Sequence, residues 1–186
     1  MSFRSMLQHP RIRLVPAQVS DAERILAVLE PEKTQNLSFF SKAVDLERQK
    51  EYIRKQCMSK ENFLWVVELI EDGRVIGTAG LHEIDMNCQN ARLGLLIFRQ
   101  EDRGQGYGTE IILQVLETAF GEFALHKVYL KVFTENARSV NHYAKMGFTM
   151  EGIFRQEYSL RGEFKDMFRM AILQDEWLRL FAGDQS

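Results

Sequence analysis

Apolar and polar positions along this chain change period several times, and each change marks an element. Ile12 and Leu14 alternate with Arg11 and Arg13, which predicts a first strand over Arg11 to Pro16. Ser20 or Asp21 can cap the helix that follows, with Ile25, Leu26, Val28 and Leu29 on one side and Pro31 just beyond its end. A second helix fits Asp45 to Met58, with Leu46, Ile53 and Cys57 inward. Phe63 to Ile70 and Val75 to Ile84 are apolar runs joined by Glu71-Asp72-Gly73-Arg74, whose Asp-Gly step is a hairpin signal. Ala91 to Phe98 completes an antiparallel meander. Lys127 to Phe133 alternates again, and because it follows a strand and a helix, a right-handed crossover sets it parallel to Ala91–Phe98. Asn136 can cap a helix carrying Val140, Tyr143 and Ala144 on one face and stopping at Gly147. Thr149 to Leu160 and Glu163 to Leu173 meet through Arg161-Gly162, and a last helix, Gln174 to Phe181, docks Trp177 and Leu180. The pattern predicts a mixed α+β sheet in one domain spanning 1–186.

The chain is organised around Ala91 to Phe120, which reads as strand, glycine-rich loop and helix. Gly104, Gly106 and Gly108 leave the backbone bare where a helix begins, so its unpaired N–H groups and positive dipole end form an anion cradle suited to phosphate or pyrophosphate. The letters exclude two familiar ligands. After Gly108 stand Thr109 and Glu110, not the Lys-Ser/Thr of a P-loop, and Thr109 occupies the third glycine of a dinucleotide fingerprint.

Charge narrows the partners. A net charge of -2 gives no general attraction to nucleic acid or to an acidic membrane surface. Across 21–55, seven acidic side chains meet seven basic ones, so that region has no acidic surplus to draw a polycation. Cys57 and Cys88 are far apart, which excludes a disulfide framework, and no HExxH or clustered Cys/His spacing suggests a metal. Without a signal peptide or a membrane-length apolar run, the protein is expected in the cytoplasm. The aromatic loop Asn36 to Phe40 is read as cover for the core or as a wall of an acceptor pocket.

Arg103, Gly106 and Gly108 match the Arg/Gln-x-x-Gly-x-Gly/Ala acetyl-CoA loop, and Asn136-x-x-Ser139-x-x-x-Tyr143-x-Lys145-x-Gly147-Phe148 supplies a second motif, followed by Glu151-Gly152, Gly162 and Asp166. With both, the chain resembles the GCN5-related N-acetyltransferase superfamily, in the branch of ribosomal-protein N-terminal (RimJ/RimL-like) and spermidine acetyltransferases. The resemblance implies a mostly antiparallel sheet splayed between its fourth and fifth strands, with helices on both faces. It implies acetyl-CoA as co-substrate, its arm pairing with the main chain near Leu96, Ile97 and Phe98, and its pyrophosphate on Arg103, Gly104, Gln105, Gly106, Tyr107, Gly108 and Thr109. Asn136, Ser139, Asn141, Tyr143 and Lys145 would line the other side. Many members are dimers, so a homodimer is allowed.

For the transfer, an amine must lose a proton, its pKa being near 10 for an alkylamine or about 8 for an α-amino group. Glu83, directly or through water, is the candidate base, and a surface strand carboxylate is the alternative. The resemblance makes Tyr143 the acid that protonates the leaving thiolate, against simple packing with its hydroxyl on a backbone carbonyl. His82 and His142 are alternative bases, and an N–H near Ile97 or Phe98 is the expected oxyanion donor. Acceptors left open are protein α-amines, small-molecule amines and polyamines. Leu93 replaces an acidic residue of the polyamine enzymes, while Glu83 matches an acceptor-side acidic position. An acetyl-CoA sensor without turnover would carry the same loop.

Overall fold

The computed structural model of the chain describes residues 3–29, 45–160 and 162–183. Among the described residues the strands are β1 (Ile12–Pro16), β2 (Phe63–Leu69), β3 (Val75–Asp85), β4 (Asn90–Ile97), β5 (Lys127–Phe133), β6 (Thr149–Leu160) and β7 (Glu163–Leu173). They form one sheet in the order β1-β2-β3-β4-β5-β7-β6. All neighbours are antiparallel except β4 and β5, as the crossover argument requires. The helices are α1 (Phe3–Gln8), α2 (Asp21–Val28), α3 (Leu46–Met58), α4 (Tyr107–Glu117), α5 (Ala137–Lys145) and α6 (Gln174–Gly183).

Alternation in β2 divides the core between two faces. Trp65 and Val67 join Ala79, Leu81 and Leu93 under Ile111, Ile112, Val115 and Leu116 of α4. Leu64 and Val66 face the other way, with Phe98, against Ile25 of α2 and Ile53 of α3. Each apolar face is thereby removed from water, and α4, buried along most of its length, is fixed against the sheet.

The strands on either side of the β4–β5 junction then diverge. β4 and β5 pair only at Asn90↔Lys127, Ala91↔Val128 and Arg92↔Tyr129. Beyond Arg92, β4 follows β3 as far as Gly77↔Ile97, while β5 pairs with β7 along its whole length. A Cβ on Gly77 would lie 2.2 Å from the Leu96 carbonyl oxygen, so only glycine lets β4 lean onto β3 there. The splay expected between the fourth and fifth strands is present.

Local corrections have local causes. Cys57 is exposed, not inward, and its thiol donates to the Ala17 carbonyl, while Gln49 joins Ile53 as the buried residues of α3. Ser20 stands at the start of α2 without a capping bond. Asp21 instead accepts from the Gln18 N–H and pairs with Arg24. Asp45 caps α3 through the Arg48 N–H. Helix α1 had no strong periodic signal and packs through Met6 and Leu7. The central helix ends in a π-helical turn, Thr118–Glu122. Pro31 and the Asn36–Phe40 loop lie outside the described residues.

Candidate active site

Gly106 is the N-cap of α4 and has no side chain to satisfy the first helical amides. Gly104 and Gly106 adopt left-handed φ values, +81° and +87°, a turn that glycine makes without steric cost. The two ends of the loop are internally satisfied: the Arg103 N–H donates to the Gln100 carbonyl and the Thr109 N–H to the Gly106 carbonyl. Among the described residues, the amides of 104–108 have no partner. The cradle is therefore five amides long, shorter at both ends than the seven residues expected from Arg103 to Thr109.

Ion pairs on buried carboxylates brace this loop from behind. Arg74 makes two parallel bonds to Asp102, 2.9 and 2.8 Å, and Asp102 is 4% exposed. The Arg103 guanidinium donates to the Ile97 and Phe98 carbonyls, tying the loop to the end of β4. Arg11 holds the buried carboxylate of Glu110 through Nε at 2.6 Å and through its own backbone N–H at 2.9 Å. The same guanidinium donates to the Gln105 carbonyl at 3.0 Å and lies over the Tyr107 ring. A negative charge in the first turn of α4 would oppose an anion, and Arg11 neutralises it.

In front of the loop a cavity of about 920 Å³ extends between the splayed strands. Of the expected residues, Leu96, Ile97, Arg103, Gly104, Gly106, Gly108, Thr109, Asn136, Ser139, Asn141, Tyr143, Lys145 and Glu83 line it. Phe98, Gln105 and Tyr107 do not. The Phe98 side chain is buried on the opposite face, and its N–H donates to the Ile76 carbonyl at 2.9 Å. Phe98 therefore cannot pair with the arm or serve as the oxyanion donor. Strand alternation turns the Leu96 backbone, of the same parity as Phe98, toward β3 and the Ile97 backbone away from it, so Ile97 is the remaining candidate for both roles.

Asn136 caps α5 by accepting the Ser139 N–H at 3.1 Å. This helix sets Tyr143 against Phe148 and Arg138, His142 and Lys145 toward the cavity. Burial pushes the Tyr143 phenol up to about 12, and its hydroxyl has no hydrogen-bond partner among the described residues. The carbonyl that would make it a packing residue is not there. Arg138 and His142 were not singled out as cofactor contacts, because α5 had to be docked on the glycine loop before they could be seen beside it.

At the other end, Glu83 occupies a bulge of β3 with φ +54°. Its oxygens accept from Arg92 Nε at 2.8 Å and from the Tyr129 hydroxyl at 2.6 Å, so one carboxylate bridges the last paired residues of β4 and β5. Burial raises its pKa, but the bonds from Tyr129 and Arg92, with the Arg92 and Lys131 charges, bring it below the ordinary carboxylate range. Tyr129 is pushed up to about 12 by burial and then by Glu83, and the Arg169 guanidinium lies 4.0 Å over its ring. Glu157, the other carboxylate on the wall, is held by Lys131 at 2.6 Å. His82 lies close against Gly80 and Gly94, outside the cavity, and burial lowers it to about 4. It is no base for this site.

A sheet split beside an uncapped helix start, with a phenol at the mouth of the split, has the layout implied by the two sequence motifs. The model of the acetyltransferase (GNAT) domain matches residues 11–149, and the chain belongs to this family. A spermidine N(1)-acetyltransferase of Vibrio cholerae is 34% identical over 112 residues, 59% of this chain and 64% of that protein, so the match spans less than two thirds of the relative. A probable N-acetyltransferase of Bacillus subtilis, YjcK, is 28% identical over 92% of this chain and 98% of its own length. Among solved structures, the Vibrio cholerae spermidine N-acetyltransferase in complex with CoA and spermine has a TM-score of 0.80 at 26% identity, covering 90% of this chain and 98% of that one. A dodecameric form of the same enzyme has a TM-score of 0.76 at 26% identity, covering 90% and 96%.

Proposed function

We propose that the chain is an acetyl-CoA-dependent N-acetyltransferase that transfers acetyl to a primary amine by direct attack. The observation that carries this reading is the run of unpartnered amides at the start of α4, of which Gly104, Gly106 and Gly108 line a cavity that enters the split between β4 and β5. A diphosphate fits the amides and the helix dipole, and a narrow thioester arm fits between strands whose backbone groups no longer pair.

A neutral amine attacks the thioester carbonyl carbon, the C–S bond breaks, and the proton lost from nitrogen ends on sulfur. Tyr143 keeps its proton across the physiological range, which suits it to donate to the departing thiolate. Full transfer from a phenol at about 12 to a thiol near 8.5 is uphill by roughly 5 kcal/mol. Tyr143 therefore acts as a relay: it gives a proton to sulfur as it receives the one leaving nitrogen. Glu83, with both oxygens engaged and its pKa lowered, is a weak direct base, and water carries the first proton from the amine. The Ile97 N–H is the oxyanion donor in this scheme.

Spermidine is the acceptor that the relatives support, and the ribosomal-protein half of the resemblance gains no support from them. One observation favours a singly charged amine, such as a protein α-amine, as a second reading. Among the described residues the cavity carries two carboxylates, Glu83 and Glu157, and cations pair with both. Release of CoA from acetyl-CoA over a panel of spermidine, peptide N-termini and simple alkylamines tests both readings. Turnover with spermidine sustains the polyamine reading, turnover with α-amines alone the second. A stabilisation of about 2.7 kcal/mol by CoA at a hundredfold excess over Kd, without turnover of any amine, would leave a sensor.

A further inference from the structure

Helix α5 approaches the glycine loop at both ends of its run of open amides. A Cβ on Gly104 would lie 3.0 Å from Arg138 Nη2, and one on Gly108 would lie 3.7 Å from His142 Nε2. Arg138 and His142 are four residues apart, hence on one face of α5, and both line the cavity. Neither group is satisfied among the described residues: Arg138 makes no ion pair with them, and His142 Nε2 is buried without a hydrogen-bond partner there. A buried polar nitrogen beside a strip of unpartnered amides is costly unless something fills the space between them.

We propose that Arg138 and His142 are cofactor-binding residues that close over the diphosphate from the side opposite the amides. The loop and the positive end of α4 hold one side of the anion, the Arg138 guanidinium neutralises the other, and the His142 imidazole donates Nε2–H. Burial, then the charges of Arg138 and Lys145, lowers the His142 pKa, so the ring enters the site neutral and acts as a donor, not as a counterion. The inference rests on the acetyl-CoA reading and extends it to two side chains at positions that the second motif leaves unspecified.

Calorimetric titration with CoA, 3′-dephospho-CoA and pantetheine tests it on the intact chain. Arg138→Met should weaken CoA by about tenfold or more, as loss of a charge-assisted contact does. His142→Leu should weaken it several-fold, and His142→Gln, which retains a donor, should recover most of that loss. The same losses should appear with 3′-dephospho-CoA and be absent with pantetheine, which has no diphosphate. Unchanged CoA affinity in both Arg138→Met and His142→Leu would overturn the proposal, and so would a loss confined to CoA, which assigns the contacts to the 3′-phosphate. Melting without ligand shows whether each variant folds, and Arg138→Lys, keeping charge without the fork, replaces Arg138→Met if it does not. Failure of the wild type to bind CoA would instead remove the acetyl-CoA reading itself.

Discussion

The two ends of the cavity are built on opposite principles. At the glycine loop, the amides of Gly104, Gly106 and Gly108, the Arg138 guanidinium and His142 Nε2 line the space without a partner among the described residues. Their scaffold, Arg74–Asp102 and Arg11–Glu110, is paired and partly buried behind them. At the root of the split the carboxylates on the wall are themselves paired: Glu83 with Arg92 and Tyr129, and Glu157 with Lys131. Unmet polar groups have a reason to bind a ligand, whereas satisfied ones resist displacement and hold geometry. The contrast assigns recognition to the loop end and alignment of the two strands to the Glu83 end.

Several substitutions test that contrast. Tyr143→Phe, which stands between the two ends, should lower kcat by about 10² to 10³ with acetyl-CoA affinity unchanged, and steady-state kinetics with direct titration separates the two. Equal turnover would remove Tyr143 from the chemistry. Arg74→Met leaves the Asp102 carboxylate buried and alone, so chemical denaturation should report a loss of about 3 kcal/mol. Arg11→Met should weaken CoA roughly tenfold by exposing the diphosphate to the Glu110 charge. The double variant Arg11→Met/Glu110→Gln should regain most of it, a recovery that a purely structural role for Arg11 does not predict.

The smallest effect is expected at Glu83. Glu83→Gln should cost only a few-fold in kcat/KM and leave the acid limb of the pH–rate profile in place. The sign follows from its lowered pKa: Glu83 is already ionised wherever the acceptor ammonium begins to deprotonate, so the limb belongs to the amine. Disappearance of the limb in Glu83→Gln would restore Glu83 as the base and undo the contrast at its closed end.

What the sequence revealed depended on how local the signal was. Asp45 as a cap, the Asp72-Gly73 hairpin, the Gly162 turn and the helix start at Gly106 follow from residues within four positions of each other, and all are present. Motif spacing put the residue letters of the cradle in place, yet hydrogen bonding within the loop, which spacing does not encode, closed its Arg103 and Thr109 ends. Phe98 read as the end of a strand facing the split, but its pairing to Ile76 is set by the parity of the β3 register. The pairing of Glu83 joins a bulge, a neighbouring strand and a crossover strand, and no periodicity in one segment can announce it.

The long contact between β5 and β7 has a consequence for any attempt to shorten this molecule. β5 is matched residue for residue by β7, and shares only three pairs with β4. A chain cut after Phe148 would retain almost all of the recognised 11–149 segment and still leave β5 a bare sheet edge. Such an edge recruits a strand from a neighbouring copy, and the expected product is a swapped or aggregated species rather than a smaller monomer.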